Sequence, residues 1–500
     1  MSWLITLPVV LPIGTAVLTF LFRNARPLAH WLSVAGCVAL LICTIALLVQ
    51  VWRVGIVVAQ MGAWPAPFGI TLAADLLAAV MLLLTAVIGL AVALYAMADI
   101  DARLEKLGYH ALFHVLLAGV CGAFVAGDLF NLYVWFEVML IASFGLLVLG
   151  GSKAQIDGGI KYVTLNLVST VLFLSGIGLL YGLTGTLNLA DLHRAVGEVN
   201  NQGLVTVVAV LFMVAFGIKA AVFPLFFWLP ASYHTAPVVV SAVFAGLLTK
   251  VGVYALIRMY TLVFTHDTDY THALLLVIAA FTMVTGVLGA AAQNEFRKIL
   301  SFHIVSQIGY IVMGLALLTP LALAGAVLFL AHNIIAKANL FLVSGIATRL
   351  SGHSDLAASG GLYKSAPFLA ILFLVPALAL AGIPPLSGFW AKFLLVKASL
   401  DASAYLMAAT ALVVGLLTLF SMTKIWAEAF WKAHPDDAAR SLKSLEPRER
   451  ALLVLPVTSL AGLTIVIGVF PEPFVVFAER TAAQLLDPAP YVRAVLGPAS

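Results

Sequence analysis

Apolar runs long enough to cross a bilayer recur along the whole 500-residue chain, fourteen by our count, with mostly short loops between them. A hydrocarbon core about 30 Å thick takes about 20 residues of helix at 1.5 Å per residue. Backbone amides find no water there, and these runs are too long for barrel strands, so they must fold as helices. The expectation is an all-α polytopic membrane protein of about 14 transmembrane helices, one integral unit embedded in the lipid bilayer. At 63% hydrophobic and 10% charged, the composition excludes the several soluble domains that the length alone suggests.

The net charge of +4 carries no argument for nucleic acid, because the basic residues sit in loops and form no aromatic-interleaved patch. Cys37, Cys43 and Cys121 fall inside apolar runs without CxxC spacing, so they read as packing residues, and neither a disulfide nor a structural metal is expected. No cofactor is expected, since no glycine-rich nucleotide loop, haem motif or cysteine cluster is present. The N-terminus lacks a basic segment and a cleavage site, so the first run is expected to stay as a span. Loops after odd-numbered spans hold Arg23, Arg26, Arg103, Lys106, Lys153, Lys161, Arg297, Lys298, Arg349, Lys364 and the run from Lys432 to Arg450. The positive-inside rule therefore places both termini outside the cytoplasm, in the plasma (inner) membrane.

Charges within the apolar runs carry the chemistry. Lys219 and Lys250 lie on successive spans, on either side of a Pro-rich turn that holds His234. A lysine near a helix centre costs about 2.5 to 3.5 kcal/mol on insertion scales, which makes each a functional-site candidate; the alternative is that it snorkels to the headgroups. Glu137 lies nine residues into the span that opens at Asp128, and its alternative role is a structural hydrogen bond to a neighbouring helix. His332 and Lys337 lie five apart in a later run, with an interhelix hydrogen bond as the other reading of the histidine. Lys392 follows Pro384 and Pro385 by a few residues, whereas His303, beside Arg297 and Lys298, reads as a helix-end residue.

Two helices are expected to break: the seventh, where Pro224 follows Lys219, and the twelfth, where Pro384 and Pro385 precede Lys392. Broken helices at matching places in two halves point to inverted repeats with a midplane site. The tails LFLSGI from Leu172 and LFLVSGI from Leu340 echo each other as two five-helix repeats would, and chance likeness between Leu-rich helices is the alternative. The resulting division is an N-terminal three-helix region at 1–110, a first repeat at 111–260, a second at 261–430, and a cytoplasmic loop with the last helix at 431–500. The segment LTGTLNLADLHRAVGEV is expected to hold a Thr- or Asp-capped amphipathic helix at the interface. The hydrophilic loop AHPDDAARSLKSLEPRER could dock a partner or simply be solvated.

Glu137 in NLYVWFEVML, Lys219 in GIKAAVFPLFFWLP, the HTAP turn, Lys250 in LLTKVGVYALIR, NEFRKILSFHIVSQIGY and SGFWAKF together resemble the antiporter-like subunits shared by respiratory complex I and the multisubunit Mrp-type cation/proton antiporters. Within that family the chain looks most like the D-type Mrp subunits, through ASYHTAP and HNIIAKANLF. The complex I M-type subunits usually carry a glutamate at the place of Lys392. The resemblance implies Glu137 and Lys219 as a coupling pair, Lys250 at the centre, and Lys337 and Lys392 beyond it. It also implies work in a hetero-oligomer with other Mrp subunits. Two functions stay open: exchange of Na+ or K+ for protons, or proton pumping in the membrane arm of a redox enzyme such as complex I or a membrane-bound hydrogenase.

Overall fold

The protein is described by a computed structural model covering residues 2–435 and 441–497. The longer helices, in chain order, are α1 (Leu7–Leu21), α2 (Arg26–Val54), α3 (Leu76–Asp99), α4 (Tyr109–Val125), α5 (Leu129–Val148), α6 (Lys153–Thr184), α7 (Gln202–Ala220), α8 (Val238–Val263), α9 (Thr268–Ala292), α10 (Phe296–Leu317), α11 (Pro320–Ser351), α12 (Pro367–Ala381), α13 (Ser387–Asp401), α14 (Tyr405–Trp431) and α15 (Pro447–Val469). Among the described residues eleven of these are long and apolar enough to cross a membrane. The first, fourth and twelfth places in the expected order are taken by the shorter apolar α1, α4 and α12, the last continuing past a break into α13. Asp436, Asp437 and Arg440 of the hydrophilic loop lie outside the described residues.

Polar caps set the helix starts. Asp75 accepts from Ala78 N at 2.9 Å to open α3, Asp128 from Asn131 N at 2.7 Å to open α5, and Thr319 from Ala322 N at 3.2 Å to open α11. Ser152 and Gln155 form a reciprocal capping box, so α6 begins two turns earlier than its apolar run and carries Lys161 within it, paired to Asp157 at 2.6 Å. The amphipathic piece is the helix Leu189–Glu198, and its cap is Asn188 rather than the expected Thr or Asp. The third apolar run, read from the sequence as Leu72 to Met97, loses its first residues to a short strand, Thr71–Ala74, that pairs with Val57–Gln60 in an antiparallel hairpin. After α15 come two further amphipathic helices, α16 (Glu472–Leu486) and α17 (Ala489–Leu496), with Pro473 and Pro490 in their first turns, where proline is tolerated.

Helix α11 is the hub, packed by α3, α8, α10, α12, α13, α15 and α16. With α8 and α10 it is enclosed on nearly every side, 94% of the apolar window of each being buried. A helix that is apolar all round belongs inside other helices. Both expected breaks are present. Helix α7 ends at Ala220, Ala221 takes a left-handed φ of 61°, and the chain resumes as the short helix Trp228–Ser232; α12 ends at Gly382 and the chain restarts at Ser387. Helix α8 also contains two π-helical turns, Phe244–Leu248 and Met259–Val263, which hydropathy does not reveal.

One buried ion pair ties distant segments together. Arg258 Nη1 donates to Asp75 Oδ2 at 2.7 Å, Arg258 Nη2 donates to the Tyr254 hydroxyl at 3.0 Å, and the guanidinium lies 5.3 Å from the Tyr491 ring of α17. Gln484 of α16 accepts from Leu76 N at 3.1 Å on the same side. Asp75 is 3% exposed and Arg258 5%, so removing one partner strands the other. Asp75→Ala should destabilise the fold by about 3 to 5 kcal/mol, the cost of an uncompensated buried charge. Asp75→Asn, which keeps the cap, should cost less; detergent melting curves of the two variants check the order.

Candidate functional site

Each lysine singled out in the sequence sits where the backbone departs from a regular α-helix or where the bundle is tightest. Lys219 is the second-to-last residue of α7, immediately before the left-handed Ala221. The indole of Trp228 donates to Ile218 O at 3.0 Å, tying the short helix back across the break. Gly252 of α8 lets this segment approach closely, for a Cβ there would lie 2.6 Å from Ala220 N. Gly252 carries no charge and sits in an apolar helix, so sequence reasoning had no signal for it.

Glu137 and Lys219 are neighbours without being an ion pair. Thr170 Oγ1 of α6 donates to Glu137 Oε1 at 2.7 Å, while Lys219 Nζ lies 5.7 Å from the ring of Phe136, the residue next to Glu137. The two charges interact electrostatically. Both the hydrogen-bonding alternative for Glu137 and its pairing partner are therefore within its reach.

Lys250 is fully buried, and its Nζ donates to Ala245 O at 2.5 Å. That carbonyl belongs to the π turn Phe244–Leu248, five residues back, and the widened turn turns it toward the ammonium rather than into an ordinary α ladder. Lys337 of α11 is also fully buried, its Nζ has no hydrogen-bond partner, and it interacts electrostatically with Lys250 and Lys392. His332, one turn before it, holds Ser387 Oγ of α13 through Nδ1 at 2.7 Å and leaves Nε2 unpartnered.

Lys392 does not reach outward. Its Nζ donates to Leu380 O at 2.9 Å and Ala381 O at 3.2 Å, the free carbonyls at the end of α12, and lies 4.6 Å from the Tyr310 ring. Beside it is a cavity of about 480 Å³ between α12, α13 and α14, kept open near the ammonium by Gly382 and Gly415.

His303 corrects the sequence reading. Far from a helix end in contact with water, it is fully buried in the third turn of α10, with both ring nitrogens unpartnered and the charges of Lys337 and Lys392 within electrostatic reach. The polar flank of Arg297 and Lys298 concealed it, because α10 turns inward immediately after them. His234 occupies the turn ahead of α8. Its Nδ1 lies 2.9 Å from Pro230 O, a carbonyl that can only accept, so Nδ1 carries the proton and Nε2 is left to bind another. Burial first, and then the positive charge of Lys298, push this imidazole down to about 4.

The arrangement is therefore one acid and four buried lysines on α5, α7, α8, α11 and α13, with two histidines interleaved on α10 and α11. Among the described residues no carboxylate lies within 4.0 Å of any of the four ammonium groups, although each is buried. A buried cation without a counter-ion is expensive, and it is cheap only when it can release its proton.

Comparison with known proteins places this geometry. The D-type Na(+)/H(+) antiporter subunit of Alkalihalophilus pseudofirmus strain OF4 is 46% identical over 498 residues, 99% of this chain and 100% of that protein. The chain superposes on one from the Mrp complex of Dietzia sp. DQ12-45-1b with a TM-score of 0.91 at 33% identity, covering 99% of this chain and 100% of that one. It also superposes on a chain of respiratory complex I from Thermus thermophilus, with a TM-score of 0.83 at 27% identity, covering 97% and 100%. The family model for the NADH:quinone oxidoreductase/Mrp antiporter transmembrane region matches residues 126–418, a span from the cap of α5 into α14 that contains Glu137, all four buried lysines and the three histidines. On that match and the full-length identity to the Alkalihalophilus antiporter protein, the chain belongs to the NADH:quinone oxidoreductase/Mrp antiporter transmembrane family.

Proposed function

We propose that this chain is the D-type membrane subunit of a multisubunit antiporter that exchanges Na+, or K+, for protons, and that it carries the protons along Glu137, Lys219, Lys250, Lys337 and Lys392 with His234, His303 and His332 beside them. The observation that carries this reading is the set of four buried lysines with no carboxylate within 4.0 Å among the described residues. Structural lysines in lipid commonly pair with a carboxylate or snorkel, whereas Lys250 and Lys392 are held only by backbone carbonyls and Lys337 has no hydrogen-bond partner. The relatives named above support the antiporter over a redox-driven pump, since the full-length match to an antiporter protein is far closer than the match to complex I. Neighbouring genes distinguish the two, with small Mrp-type subunits on one side and flavoprotein and iron–sulfur subunits on the other. Other subunits of such a complex are its partners, and the basic loops support the plasma membrane with both termini outside.

The chemistry follows from a carboxylate with two partners. When Glu137 leaves Thr170 and meets Lys219, a pair about 4 Å apart at an effective dielectric near 20 gains about 4 kcal/mol, equal to about three pK units, and holds the ammonium charged. When Glu137 returns to Thr170, the desolvated ammonium loses that support and gives its proton onward. A proton arriving at Lys250 then repels the one on Lys337, and Lys337 repels that on Lys392 in turn. We place the two helix breaks at corresponding positions of two inverted repeats, so that both ends of the relay have mobile backbone.

Lys219→Ala or Glu137→Ala should lower cation-dependent proton exchange about 100-fold or more while the complex still assembles, read as dye dequenching in everted vesicles. Wild-type exchange in either well-expressed variant would defeat the reading. Lys392→Arg has room for its larger head in the adjoining cavity, yet a guanidinium does not release a proton, so it should be as inactive as Lys392→Ala. Full activity with an unchanged pH profile would remove Lys392 from the path. His234 stays neutral above about pH 4. His234→Asn should therefore slow exchange, if it alters it at all, without moving the midpoint of the rate profile between about pH 6 and pH 9; a moved midpoint would show that this imidazole titrates there.

A further inference from the structure

A second cluster of titratable side chains lies outside the relay, at the end of the bundle that carries the basic loops. Glu105, in the short helix Ala102–Lys106 between α3 and α4, turns inward and is 4% exposed. His30 Nε2, from the second turn of α2, lies 2.6 Å from Glu105 Oε1, and His110 Nε2, from the start of α4, lies 3.9 Å from the same oxygen. These three ligand atoms all fall within 4.8 Å of one another. His110 is 3% exposed and neither ring nitrogen has a hydrogen-bond partner. Above the cluster a cavity of about 460 Å³ opens at the surface, with Arg26, His30 and Glu446 among its walls.

We propose that His30, Glu105 and His110 form a binding site for a divalent transition-metal ion of the zinc type. Two imidazoles and one carboxylate make a three-ligand set that leaves a fourth position open, and His30 of the set also lines the cavity. Bonds of about 2.0 to 2.2 Å hold neighbouring ligand atoms about 3.4 Å apart, so binding would open the 2.6 Å His30–Glu105 contact and draw His110 in from 3.9 Å. Calcium and magnesium do not fit, because they take six or more oxygens and this site offers one carboxylate.

Arg26 is the apparent objection. Its Nε lies 2.7 Å from Glu105 Oε2, although that oxygen has no aligned hydrogen bond. The guanidinium side chain is 48% exposed, so part of its charge is solvated and its contact with the carboxylate is a modest one. It holds the outer oxygen and leaves Oε1 facing the two imidazoles, the support that a ligating carboxylate needs from behind. A bound ion would join α2, α4 and the connecting segment at one point, and nothing in the proposed relay touches it.

The test uses the whole complex, purified through an affinity tag without histidine, stripped with chelator and dialysed against Zn2+. Bound zinc is counted by atomic emission, and the ligand shell is read by X-ray absorption. His110→Gln is the decisive variant, because His110 makes no hydrogen bond whose loss would unfold the protein. It should remove one zinc per copy of this chain or weaken that site at least about tenfold. His114→Gln, one turn further along α4 and bonded instead to Ser33, should keep the zinc. Mg2+ in excess should not displace it. Identical zinc content in the wild type and His110→Gln at every concentration would overturn the site, as would a ligand shell lacking imidazole.

Discussion

A charge buried inside the bundle with no carboxylate beside it among the described residues is the constraint on which the rest of this structure depends. Lys250 satisfies it by taking Ala245 O, a carbonyl released by a π turn in its own helix. Lys392 satisfies it by taking the two carbonyls left over where α12 stops. In both cases the ammonium is held by backbone dipoles rather than by a carboxylate. A carboxylate would fix the proton in place, whereas a carbonyl stabilises the charge only partly. The breaks and the wide turns thus supply the carbonyls that hold these buried ammonium groups.

Tertiary packing makes this arrangement tolerable. Helices α8, α10 and α11 carry Lys250, His303, His332 and Lys337, and they are also the most enclosed helices in the bundle. Their apolar surroundings make the polar groups costly to bury. The Asp75–Arg258 pair stands at the far end of α8 and binds its terminus to α3 and α17, fixing the helix that carries Lys250.

The polytopic helical fold was legible because length and hydropathy alone demand it, and the buried lysines were legible because a charge in an apolar run is conspicuous. Proline announced the breaks at Pro224 and Pro385. What could not be read depends on approach in space. Gly252 matters only because the end of α7 lies against it, and Asp75 and Arg258 are 183 residues apart. His303 was misplaced because its neighbours in sequence are polar while its neighbours in space are not. Residues 72–74 were mistaken for the start of a helix because so short an apolar run has no period to betray a strand. His30, Glu105 and His110 met only when α2 and α4 packed.

The π turn at Phe244–Leu248 also alters which way a helix faces. One additional residue per turn advances the side chains by about 100° relative to a regular helix. Before it, Val238–Val243 packs on α3 and α11; after it, Thr249–Arg258 packs on α7, α4 and α10. A helix with uniform winding would present one stripe to one neighbour along its length. This one is rephased at its middle, so a single rod serves as the wall of two different chambers, and Lys250 stands where one wall becomes the other.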